Sequence, residues 1–129
     1  MGAGASLDSD NGELLDEETK SIKAEADRAL QSNDLPEAEL LCSKAILKAP
    51  EIAMLWSDRA NVRLKLEQYG QAFSDALTVI ELAPVWPLGY YYGGCAALKL
   101  DKALLSNELL KKAIALAPGV PMILEAYKE

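Results

Sequence analysis

The chain has 129 residues, which suits one domain, and carries a net charge of −7 with no histidine. The negative surface repels phosphate backbones and sets nucleic-acid binding aside. Missing histidine removes the commonest general base, the serine and cysteine triads that need it, and most zinc sites. No stretch approaches the roughly 20 apolar residues that span a bilayer. Alanine, leucine, glutamate and lysine dominate, a helix-forming set.

Residues 1–13 lack a periodic apolar pattern and are expected to form a flexible leader. Their start, MGAGAS, fits the N-myristoylation pattern, with Gly2 as acceptor and Ser6 in the required place. One acyl chain binds a membrane only marginally, and the acids that follow would oppose anionic lipid. Helical periodicity then predicts helices over 15–32, 35–48, 52–66, 69–82, 86–100 and 102–116. A seventh, from Gly119, covers the end as a cap over 119–129. Ser32-Asn33-Asp34 is a turn and cap signal, with Pro36 in the first turn of the next helix. Gln68-Tyr69-Gly70 and Asp101-Lys102 occupy the matching places.

Ala49-Pro50, Ala83-Pro84 and Ala117-Pro118 recur at steps of 34 residues, each ending a second helix. Other columns keep the same step. Ile22, Trp56 and Tyr90 are bulky; Ala26, Ala60 and Gly94 are small; Leu30, Leu64 and Leu98 share the same face. On the second helices Ala38, Ala72 and Ser106 form a small column, as do Ala45, Val79 and Ala113. Small residues recur where two helices must approach closely.

This register resembles the tetratricopeptide repeat. The match rests on Trp56, Ala60, Tyr69, Ala72, Ala76 and Pro84 in the second unit. Its neighbours supply Ala38, Ala45 and Pro50, and Tyr90, Gly94, Ala113 and Pro118. The resemblance implies an all-α fold: a right-handed superhelical stack of three antiparallel helix-turn-helix repeats plus a short C-terminal capping helix. The domain then spans 14–129, with repeats at about 19–50, 53–84 and 87–118. It also implies a non-catalytic adaptor that binds a protein or peptide in a concave groove.

The stretch 55–100 is most similar to three-repeat co-chaperone modules. These grip the acidic C-terminal tail of cytosolic heat-shock chaperones with a two-carboxylate clamp of two lysines, two asparagines and an arginine. Carried over, Lys23 keeps the first lysine. Asp27 and Asp58 replace the two asparagines, and Leu88 and Tyr92 replace the third unit's lysine and arginine. Asparagine donates to a carboxylate; aspartate only accepts, and repels it. The usual ligand is therefore not expected through the standard clamp.

The expected groove lining is Lys20, Lys23, Asp27 and Leu30; then Met54, Asp58, Asn61 and Lys65; then Leu88, Tyr91, Tyr92, Cys95 and Lys99. A ligand with a Lys or Arg near an apolar or aromatic residue suits the acids and tyrosines. Asp27 and Asp58 could equally pair with Lys23, Lys20 or Arg28 inside the stack, and Tyr90 belongs to the helix packing. Lys65 and Lys99 leave open a rearranged clamp for an acidic chaperone tail. An acylated membrane tether and weak self-association through the stack ends are the other readings.

Cys42 and Cys95 fall in different repeats, which argues against a bridge and fits a reducing, cytoplasmic setting. Both are expected to act as small hydrophobes. No nucleophile–base pair, phosphate loop or metal spacing is present, so no enzyme, cofactor or metal is expected.

Overall fold

The computed structural model describes residues 15–128, and this region is built from helices alone. They are α1 (Glu17–Gln31), α2 (Leu35–Lys48), α3 (Ala53–Lys65), α4 (Tyr69–Leu82), α5 (Pro87–Lys99), α6 (Ala103–Leu116) and α7 (Pro121–Lys128). Each packs on the next, and α3 also meets α5. Three helical hairpins thus stack in order, with α7 closing against α6. Among the described residues, no helix is long and apolar enough to cross a membrane. Gly2 and the leader lie outside the described residues.

The helix ends follow from local chemistry. Asp16 caps α1 by accepting the Thr19 N–H at 2.7 Å, so the helix starts at Glu17 rather than at Leu15. Asp34 caps α2 through Glu37, with Pro36 in the first turn. The turn inside each hairpin is also periodic. Asn33, Glu67 and Asp101 adopt φ of 62°, 63° and 62°. After each, an N–H reaches back five residues: Asp34 to Ala29, Gln68 to Arg63, Lys102 to Ala97. That is the left-handed closure that satisfies the last carbonyls of a helix.

The small columns are where helices meet. Ala26, Ala38, Ala60 and Ala72 are buried, as are Gly94 and Ser106. In the third repeat Ser106 Oγ donates to the Gly94 carbonyl at 2.8 Å, so its hydroxyl is satisfied in the core. A Cβ on Gly94 would lie 2.6 Å from Leu110 Cγ, so only glycine allows this approach of α5 and α6.

The bulky column does a second job. Trp56 Nε1 donates to the Pro50 carbonyl at 2.8 Å, and Tyr90 Oη donates to the Pro84 carbonyl at 2.7 Å. Each aromatic ties the start of a repeat to the Ala-Pro break before it. Trp86 is the N-cap residue of α5 and is buried against Ala53 and Val79, stapling that helix start.

An ionic cluster that sequence reasoning did not find joins α2, α3 and α4. Asp75, with only 3% of its side chain exposed, accepts from Arg59 Nε at 3.0 Å, Arg59 Nη2 at 2.9 Å and Arg63 Nη1 at 3.0 Å. Arg59 also donates to Ser43 Oγ at 2.9 Å, and Arg63 to Glu39 at 2.8 Å. A buried carboxylate with three charge-assisted bonds is compensated for desolvation.

Candidate functional site

The first helices of the repeats, α1, α3 and α5, lie side by side. One cation and two anions join the first two. Lys23 Nζ is 2.9 Å from Asp27 Oδ2 and 3.5 Å from Asp58 Oδ2. Lys23 and Asp27 stand four residues apart on α1, one turn along the same face. Asp58 comes from α3. Their side chains are 22%, 49% and 29% exposed, so the group is reached by solvent.

The three charges sum to −1 (one lysine, two aspartates). Burial pushes the Asp58 carboxyl up to about 6; Lys23 works against this, while Asp27 adds to it. For Lys23, burial opposes the ammonium, but the Asp58 and Asp27 charges outweigh it and hold the amine above its ordinary value. Tyr92, half-buried on α5, has its phenol pushed well above the usual range by burial and next by the charge of Asp58. Tyr91 and Tyr92 stack tilted, centroids 5.1 Å apart at 56°.

The other expected lining residues divide. Asn61 is half-buried. Lys65 and Lys99 are exposed in the last turns of α3 and α5, and make no ion pair among the described residues. Lys20 pairs weakly with Glu17 at 3.7 Å on its own helix. Leu88 packs beside the Ala53, Val79 and Trp86 cluster, and Tyr91 beside Ala113, Ala117 and Ile123. Both are half-buried, so each divides its surface between core and solvent.

Cys42 is buried on α2 near the two acids. Burial pushes its thiol up to about 12, with Asp58 and Asp27 adding, so it is an inert core thiol. Neither cysteine is in a disulfide.

No protein-family model matches the chain. It is 30% identical over 108 residues to the SGT1 homolog of Oryza sativa subsp. japonica, covering 84% of this chain and 29% of that protein. It is 33% identical over 97 residues to the Hsp70-Hsp90 organizing protein of Triticum aestivum, covering 75% of this chain and 17% of that one. Among solved structures, the first TPR of Spaghetti (RPAP3) bound to the HSP90 peptide SRMEEVD superposes with a TM-score of 0.82. It shares 18% identity, and the match covers 88% of this chain and 91% of that one. The chain is a tetratricopeptide repeat module.

The TPR module spans less than a third of either curated relative's length. Its three repeats explain the 34-residue spacing of the Ala-Pro breaks, the left-handed turn residues and the aromatic ties. Sequence spacing could place Lys23 and Asp27 together on one turn. Of the partners open to Asp58 in the sequence, the structure chooses Lys23, 35 positions earlier.

Proposed function

We propose that this TPR module is a non-catalytic adaptor that binds a peptide along the face formed by α1, α3 and α5. The observation that supports this reading most directly is what that face holds in reserve. Lys23, Asp27, Asp58, Asn61 and Tyr92 stay partly accessible. The structural neighbour bound to SRMEEVD supports a peptide as the class of ligand.

The same peptide argues against a simple transfer of its chemistry. SRMEEVD ends in acids. Here the one lysine at the centre is already paired with two aspartates. Aspartates present only acceptors to an incoming carboxylate and repel it. A basic or aromatic ligand fits better.

A second reading keeps the acidic tail. Lys65 and Lys99, without ion pairs among the described residues, favour a rearranged clamp lower on the face. Peptides selected from a random displayed library on the full chain, mapped by amide NMR shifts, test the main reading. The expected result is shifts concentrated on α1, α3 and α5, and loss of binding in Leu88→Ala/Tyr92→Ala with helicity retained. Shifts confined to α2, α4 and α6, or full binding by the double variant, would overturn it. Salt-sensitive micromolar binding of SRMEEVD, lost on replacing Lys65 and Lys99, would favour the second reading instead.

A further inference from the structure

Lys23 is already engaged on the face formed by α1, α3 and α5. It reaches from α1 to a carboxylate of its own helix and to one of α3, and sits where those two acids converge. Two acids with a single cation leave the group one negative charge in excess. Tyr92 on α5 feels the charge of the same acid, and its ring is tilted against that of Tyr91. That excess charge attracts a further cation.

The lysine is also replaceable. Its ammonium is a point charge on a flexible four-carbon stem, and it holds no fixed fork geometry. Both its pairs are partly exposed, so a competitor can approach without unfolding the stack. Arg59, next to Asp58 in sequence, is no rival, because Asp75 and Ser43 hold its guanidinium.

We infer that Lys23 is a resident counter-ion, and that a lysine or arginine of the bound peptide takes its place between Asp27 and Asp58. This rests on the peptide-groove reading and deepens it, because it names the chemistry that selects the ligand. Lys23 then competes with the peptide. The two readings of the groove therefore assign opposite signs to its removal. In a clamp for acids Lys23 attracts the ligand; here it opposes it.

The experiment uses the full chain and a peptide from the selection that contains a basic residue, together with its Lys/Arg→Gln twin. SRMEEVD serves as the acidic control. Fluorescence polarisation is read at mildly alkaline pH, which keeps Asp58 ionised once its cation is gone. The expected result is that Lys23→Gln binds the basic peptide about tenfold more tightly and leaves the Gln twin unchanged. Asp58→Asn weakens the basic peptide by a similar factor and equalises the pair. Lys23→Met keeps the stem and repeats the gain, which separates loss of charge from loss of packing.

Weaker or unchanged binding of the basic peptide in both Lys23 variants would overturn the inference. So would selected peptides that bind this face but carry no basic residue; both results leave the peptide-groove reading standing. Absence of any peptide binding sensitive to Tyr92→Ala overturns that reading, and the inference with it.

Discussion

Arg59 grips both oxygens of Asp75, with Nε 3.0 Å from Oδ2 and Nη2 2.9 Å from Oδ1, and the pair locks α3 to α4. Arg63, one turn on, reaches the same carboxylate and extends the link through Glu39 to α2. Two guanidiniums therefore depend on one buried acid. Asp75→Asn leaves Arg59 without its counter-charge and Arg63 with Glu39 alone. It is expected to cost about 3–5 kcal/mol, as breaking a buried pair does. Urea unfolding of the purified variant measures this; a loss under about 1 kcal/mol would mean solvent replaces the carboxylate easily.

Glycine is ordinarily a poor helix residue, and Gly94→Ala in the middle of α5 would be stabilising by about 1 kcal/mol on propensity alone. The neighbouring helix reverses that sign. The new methyl would meet Leu110 Cγ at 2.6 Å and Cδ2 at 2.7 Å, and would push α6 away from the carbonyl that Ser106 bonds. A net loss of about 1–3 kcal/mol is expected from overpacking. Thermal unfolding followed by circular dichroism decides between the two signs.

Glu67 offers the opposite case. Its φ of 63° is a left-handed conformation that costs a residue with a Cβ about 1 kcal/mol, and glycine almost nothing. Glu67→Gly is expected to stabilise the chain by about 0.5 kcal/mol, the relief being partly offset by a more flexible unfolded chain. A lower denaturation midpoint would show that this turn is not under strain.

Asp58 makes stability depend on pH. Its folded pKa, about 6, lies above the ordinary 3.8, so between those values the folded chain binds more protons than the unfolded one. Stability contributed by protonating Asp58 is therefore gained as pH falls from about 7 to 4 and lost on the way back up. The groups around it are Lys23 and Asp27 on α1, Cys42 on α2 and Tyr92 on α5. Asp16 pulls the other way, since the Thr19 hydrogen bonds hold its carboxyl low and that contribution fades in acid. The difference between wild type and Asp58→Asn isolates the term. It is expected to amount to roughly 1–2 kcal/mol between pH 7 and 4, after allowance for solvent screening. Parallel stability profiles for the two proteins would show that Asp58 titrates as an ordinary surface acid.

Removing both acids also tests ligand selection. Asp27→Asn with Asp58→Asn frees Lys23 and turns two acceptors into donors. Affinity for the acidic peptide SRMEEVD is expected to rise about tenfold. A titration without gain would mean that repulsion by these two acids is not what limits acidic ligands.

Much of this protein was legible in its sequence, because the repeat writes each structural requirement three times. Small residues at Ala26, Ala60 and Gly94, and the Ala-Pro breaks, recur at one spacing because each hairpin must meet its neighbour in the same way. The start of α2 followed from short-range chemistry at Asp34 and Pro36, which acts over three or four residues and so leaves a local signal. The substitutions at Asp27, Asp58, Leu88 and Tyr92 were equally plain against the family pattern. What those residues do with one another was not. Whether Lys23 faces a ligand or Asp58 depends on how far apart α1 and α3 lie. Whether Arg59 is a surface cation or the partner of Asp75 depends on which way α4 turns. Ion pairs across helices join residues 12 to 35 positions apart and obey no period, so only the tertiary structure decides them.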